Sequence, residues 1–203
     1  MVGLARLAVV AVALALAGCV TTAENSLSQN DIANMKLTGV TVSFTPDAGV
    51  QWEDGIRAYA TANAIADDQI ATATNTPEGK AYVRTMLAPV IKTGVTKSLA
   101  GQLNGSRPVR LDIVVRSFAL SSAVQRVLIG GGRGMVADAN LVDARTGAII
   151  IANPELRAAT YAGQGIVGAA VQAAIDNASE QSVAEKLAYR YGEIYRNWLL
   201  RQT

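Results

Sequence analysis

The chain has 203 residues, with 18 Lys and Arg against 16 Asp and Glu, one cysteine and no histidine. The lack of histidine excludes Ser-His-Asp and Cys-His catalysis and a His-ligated zinc site. It leaves proton transfer near neutrality to a carboxylate, Lys or Tyr with a shifted pKa. The nearly balanced charge leaves out the basic footprint of a nucleic-acid-binding protein, so no nucleic-acid partner is expected.

The chain opens on a short, weakly basic stretch containing Arg6, and an uninterrupted apolar run follows from Leu7 to Ala17. Charge, apolar run and small residues in that order are the layout of a secretory signal. The run has 11 residues, whereas a membrane-spanning helix needs about 20. Leu16-Ala17-Gly18-Cys19 resembles the lipobox of bacterial lipoproteins. The resemblance implies cleavage between Gly18 and Cys19, a diacylglyceryl group on the Cys19 thiol and acylation of the new amine. A single thiol in a secreted chain needs an explanation, and lipidation is one. Lipidation also leaves the domain with no thiol for a disulfide or a thiolate zinc site. Two or more acyl chains make an anchor effectively permanent, where one binds only marginally. The residue after the cysteine is Val20. Aspartate there is the family's inner-membrane retention signal, so Val20 implies the outer membrane, with the domain facing the periplasm.

Residues 1–18 are thus read as a signal peptide, 19–36 as a polar lipidated tether and 37–203 as one domain. Loss of the signal removes Arg6 as its only charge. In 37–44, Val40, Val42 and Phe44 alternate with Thr41 and Ser43, which predicts a strand ended by a turn at Thr45-Pro46-Asp47. Trp52, Ile56, Tyr59 and Asn63 predict a helix over 52–66, and 67–76 reads as a loop. Thr76-Pro77-Glu78 is a helix start. The apolar stripe behind it runs Tyr82, Val83, Met86, Leu87, Val90, Ile91, Val95, Leu99 and Leu103, with a stop at Asn104-Gly105. Pro89 and Gly94 inside the stripe predict a kink or two helices.

Three strands are then expected. In Val109–Val115, Val109, Leu111, Ile113 and Val115 face one side, while Arg110, Asp112 and Arg116 face the other, with a continuation through Phe118 and Leu120. A second strand spans about Arg133 to Asp143, and a third Ala148 to Ala152. Asp143 to Gly147 joins these two as a tight hairpin. Residues 157–180 are rich in Ala and Gly. Ser179–Gln202 carries the stripe Val183, Leu187, Tyr191, Ile194, Trp198 and Leu199 of an amphipathic helix. The order predicts an α+β fold, a mainly antiparallel sheet with helices packed on one face.

Few constellations carry chemistry. Gly163 to Ala169 matches a dinucleotide fingerprint in letters only, because no strand–helix–strand unit surrounds it; no cofactor is expected. Gly130, Gly131, Gly132, Arg133 and Gly134 form a connection between strands, or alternatively a loop whose amides and arginine hold an anion. Asp67-Asp68 reads as a solvated pair rather than a calcium site, and no metal is expected. Asp112, Asp138 and Asp143 lie on or beside neighbouring strands, where ion pairing with Arg110 and Arg116 competes with a carboxylate-based reading. Trp52, Tyr191, Tyr195 and Trp198 are core aromatics or a binding surface.

Residues 109–150 join a strand with a basic end, a GGGxG connection, a second strand and an LVDAxTG hairpin. This pattern resembles small Gram-negative envelope lipoproteins related in fold to the penicillin-binding-protein activator LpoB, the curli secretion lipoprotein CsgG and the N-terminal domain of TolB. The resemblance implies an α/β sandwich that works by binding other envelope components, with no catalytic residues. A non-enzymatic assembly domain is therefore expected, held to the membrane by its lipid and partnered by an envelope protein or a second copy. The alternatives are a small-ligand or anion carrier using 130–134 and, more weakly, a cell-wall hydrolase built on Asp112 and Asp138.

Overall fold

The computed structural model describes residues 23–120, 132–161 and 182–202. The elements are α1 (Gln29–Ala33), β1 (Met35–Gln51), α2 (Glu53–Ala62), a single turn at Asp67–Gln69, α3 (Ile70–Thr74), α4 (Pro77–Ser98), β2 (Arg107–Leu120), β3 (Gly132–Asp143), β4 (Ile149–Tyr161) and α5 (Val183–Leu200). The four strands form one sheet in the order β1-β2-β3-β4. β1 and β2 are parallel, and the other two pairs are antiparallel. A parallel pair needs a crossover, and the segment carrying α2, α3 and α4 supplies it. This is the expected α+β fold.

The alternation read in β2 is the alternation observed. Val109, Leu111, Ile113 and Val115 are buried, and across the ladders they meet Val40, Val42, Phe44, Leu141, Ala139 and Ala137 on the same face. α4 and α5 cover that face. From α4 come Val83, Leu87, Ile91 and Val95, and from α5 come Leu187, Tyr191, Tyr195 and Leu199. Each fully buried aliphatic or aromatic side chain contributes roughly 1.5–3 kcal/mol relative to exposure. The Tyr191 hydroxyl reaches the sheet itself and donates to the Ala137 carbonyl at 2.9 Å.

α4 begins where the sequence places it, with Thr76 as N-cap and Pro77 at the first turn. It is one continuous helix, not two. Pro89 removes the bond to the Thr85 carbonyl, but both residues are exposed, so water can take that carbonyl. Gly94 has a different role from the helix break it suggests. A Cβ there would sit 2.6 Å from the Glu185 carbonyl oxygen and 2.8 Å from the Ala188 Cβ of α5. Across the same contact a Cβ at Gly192 would meet the Ser98 Oγ at 1.9 Å. The contacts advance together, 94 against 188 and 98 against 192, so the two helices run in the same direction with their backbones in close contact. The helix also ends earlier than Asn104-Gly105. Leu99 caps it and Gly101 takes the left-handed turn at φ +73°.

Other boundaries move for identifiable reasons. Thr45-Pro46-Asp47 does not end β1: residues 45–48 loop out between Phe44 and Gly49, and pairing with β2 resumes at Gly49–Gln51. The expected loop 67–76 folds into a single helical turn and α3. β4 runs on to Tyr161, well past Ala152. The hairpin is as expected: Asp143 Oδ1 accepts from the Arg145 and Thr146 amides at 3.1 and 3.2 Å, and Gly147 has φ +75°.

The described part of the expected tether is docked. The Asn25 side-chain amide donates to the Trp198 and Leu199 carbonyls at 3.2 and 2.8 Å, two of the acceptors that a helix C-terminus leaves open. Trp198 Nε1 donates to the Ala23 carbonyl at 2.6 Å. Arg201 donates to the Asn25 and Leu27 carbonyls at 2.8 and 2.6 Å. Its own backbone is left-handed at φ 53°, a conformation costing a non-glycine residue about 1–2 kcal/mol and held here by these contacts. Ser28 and Asp31 form a capping box on α1, and Ile32 is buried. Asn34 then accepts from the Ser106 and Arg107 amides at 2.9 and 2.7 Å. Gly105 lies so close that a Cβ would fall 2.2 Å from the Asn34 carbonyl carbon.

Thermal unfolding tests the helix contact. Gly94→Ala places a methyl against backbone; overpacking typically costs 1–3 kcal/mol and outweighs the roughly 1 kcal/mol of better helix propensity. The melting temperature should fall by a few degrees. Gly39→Ala, where a Cβ meets nothing within 4 Å, should leave it nearly unchanged. Equal behaviour of the two variants would contradict the contact.

Candidate functional site

The sheet face away from α4 and α5 carries the charged residues picked out in the sequence. Arg110 grips Asp112 with two bonds of 2.6 and 2.8 Å, and Thr41 Oγ1 donates to Asp112 at 2.6 Å. One residue pair further up the ladder, Arg116 Nε donates to Asp138 Oδ1 at 2.8 Å, and the Glu155 amide donates to the same oxygen at 2.8 Å. Three irregularities meet at this level. β1 loops out at 45–48, β2 has its register shift at Arg116, and β4 bulges at Pro154-Glu155 opposite Asp138. Glu155 has φ 51°. Asp138 thus ties the bulge of β4 to that of β2, and Asp47 and Glu155 also bear on the Arg116 charge.

Asp112 and Asp138 are diagonal neighbours on one face, a spacing of about 7 Å. An acid–base pair would need one of the two carboxyls to stay protonated near neutrality. Both are instead held below the usual carboxylate range. For Asp112 the Arg110 hydrogen bond leads. For Asp138 burial pushes upward and is outweighed by the Arg116 bond, the Glu155 amide and the Arg116 charge. Asp143 is lowered by the Arg145 and Thr146 amides.

Gly130 and Gly131 lie outside the described residues, as does the segment 163–169. Gly132, Arg133 and Gly134 are not in a loop: they begin β3, paired with Tyr161, Thr160 and Ala159. Arg133 stands opposite Leu120, on the face covered by the helices, and is 6 % exposed. The nest expected of a loop is therefore not the geometry of its second half. The aromatic residues do not gather on a surface either. Tyr191 and Tyr195 are in the core, and burial pushes both phenols up. Trp198 packs beside Tyr195, ring centres 5.7 Å apart, and Trp52 is buried at the start of α2. Asp67 and Asp68 form the turn before α3, and among the described residues no cluster of three metal-ligating side chains includes them.

One concavity among the described residues was not marked by any motif. It is a cleft of about 750 Å³ where the end of β1, α2, α3 and the start of α4 converge. Val50, Ile56, Ile70 and Val83 supply apolar lining, and Asp47, Asp67, Lys80 and Arg84 supply charge. Arg84 shapes one wall. It donates to the Pro46 and Ala48 carbonyls at 3.2 and 2.7 Å and lies 6.0 Å from the centre of the Phe44 ring. Asp47 is held low, first by the Thr45 hydroxyl. The signal available in the sequence was the Pro46 and Gly49 pair inside a strand pattern, which marks a loop-out as readily as an end.

Asp138 gives a stability prediction. Its lowered pKa means that the stability it contributes is present in full above the unfolded carboxylate value of about 3.9 and is lost as pH falls through the lower folded value. Asp138→Ala leaves the Glu155 amide without its partner and should cost about 1–3 kcal/mol at pH 7. Asp138→Asn should cost less at pH 7 and flatten the acid limb of the stability curve. Denaturant unfolding between pH 7 and 3 measures both; a wild-type-like acid limb in Asp138→Asn would contradict the assignment.

No helix among the described residues is long and apolar enough to cross a membrane. No curated protein matches the chain. A solved structure from Caulobacter crescentus CB15, described as that of a proposed lipoprotein, covers 56 % of this chain and 80 % of its own at 18 % identity and a TM-score of 0.35. A likeness that loose carries neither fold nor function across. Residues 77–202, from the first residue of α4 to beyond the end of α5, match the family of unknown function DUF6778, and the chain belongs to that family.

Proposed function

We propose that the protein is an outer-membrane lipoprotein whose periplasm-facing domain binds an envelope partner and catalyses nothing. The observation that carries the anchor is Leu16-Ala17-Gly18-Cys19 directly behind the 11-residue apolar run, followed by Val20 rather than aspartate. The non-catalytic part is supported by the carboxylates. Asp112 and Asp138 are ion-paired and held ionised, which suits a structural role and not the hydrolase alternative. The anion-carrier alternative loses support from the burial of Arg133 in β3. The pattern of residues 109–150 extends the reading to the lipoprotein fold group it resembles, whose members work by binding envelope components. The partner is an envelope protein or a second copy of this chain, which photo-crosslinking of the full-length lipoprotein in cells distinguishes.

Membrane fractionation tests the anchor and the address separately. The wild-type chain should float with the outer membrane, Cys19→Ser should lose the lipid-dependent fraction, and Val20→Asp should move the protein to the inner membrane. Recovery of processed wild-type protein in the soluble fraction would overturn the proposal.

A further inference from the structure

The two ends of the domain differ. At one pole β1 and β2 begin, the β3–β4 hairpin turns, and α4 and α5 finish. The segment 23–27 is bonded there to Trp198, Leu199 and Arg201. At the other pole β1 ends and α4 starts, and the cleft opens there. The poles are separated by the length of α4, whose 22 residues span about 33 Å.

We infer that the lipid on Cys19 and the docked segment 23–27 together hold the first pole against the bilayer, making it a membrane-contact surface and directing the cleft away from the membrane. This rests on the lipid-anchor reading above. The argument is one of chain length. An 18-residue flexible tether would have a root-mean-square span of about 25 Å and a maximum near 60 Å, enough to let the domain turn freely. The Ala23 carbonyl, however, is fixed to Trp198. Ala23 lies only four positions from Cys19, with three residues between them, a reach of about 14 Å fully extended. The pole that must stay near the headgroups also has chemistry for them. Ile149, beside the hairpin, is 63 % exposed, the most exposed large apolar side chain among the described residues. Arg145 in the hairpin turn is exposed and can meet anionic headgroups. An apolar side chain next to a cation is how a peripheral surface seats in an interface.

The test uses the lipidated full-length protein in phosphatidylethanolamine–phosphatidylglycerol vesicles doped with a headgroup-nitroxide lipid. Because the Cys19 thiol carries the lipid, an engineered cysteine is the sole reactive thiol. A fluorophore on Thr146→Cys reports the first pole, and one on Asp68→Cys reports the cleft pole. Quenching should be several-fold stronger at 146 than at 68. Inserting 20 Gly/Ser residues between Val20 and Thr21, together with Ile149→Ser and Arg145→Ser, should bring the two sites together. Equal quenching in the unmodified chain, or stronger quenching at 68, would overturn the inference while leaving the anchor intact. Failure of the protein to float with the vesicles would overturn the anchor reading, and the orientation with it.

Discussion

At Gly94 and Gly192 the backbones of α4 and α5 approach so closely that neither position has room for a methyl group. Much else follows from that approach. It puts α5 over β3 and β4 with its Tyr191 hydroxyl within reach of the Ala137 carbonyl, while α4 keeps its contact with β1. Larger residues at the contact would spread the pair, and a four-stranded sheet has little width to spare. Dispersion falls off steeply with separation, so the apolar rows of the two helices would also lose contact with each other. The same pairing sets the axial position of α5, and with it the place where its C-terminus meets the segment 23–27.

That C-terminus explains how a polar leader of small residues becomes ordered. The last carbonyls of a helix need donors; the left-handed turn at Arg201 brings the Gln202 amide back to the Asn197 carbonyl at 2.9 Å, and the Trp198 and Leu199 carbonyls take donors from outside the helix. Asn25 supplies the donors from the far end of the chain, and Arg201 bonds the carbonyls of the segment that supplies them. The N-terminal residues thus complete the helix, and Asn34 goes on to fasten the turn into β2. The first and last elements of the chain are locked to each other at the pole from which Cys19 is only four residues away.

What was legible in the sequence was what local chemistry decides. The alternation of Val109–Val115, the Thr76-Pro77 start and the Asp143–Gly147 hairpin each carry their signal within a few residues, and each is found in place. What was not legible depends on distant contacts. Gly94 looks like a break, and only α5, some 90 residues on, shows it to be a point of contact. Asn25 looks like tether until its amide is seen 173 residues away in sequence on Trp198. Pro46 signals a turn correctly, but whether the strand ends or resumes after it depends on β2. The glycines at 132 and 134 suggest a loop, and pairing of Gly132 with β4 and of Gly134 with both β2 and β4 makes them strand. The cleft has no motif because four separate elements contribute to it.

The sheet and the two parallel helices join two poles, one carrying the docked segment 23–27 and the other the cleft. Both depend on the N-terminal segment being part of the fold. Hydrogen exchange on the soluble Cys19→Ser chain measures this directly. The amides of Ile32, Gly105, Ser106 and Arg107, all bonded at this junction, should exchange only with global unfolding, together with the amides of β2 and β3. Exchange of these amides at the rate of a free chain, with the sheet still protected, would mean that residues 23–34 are a loose tether after all.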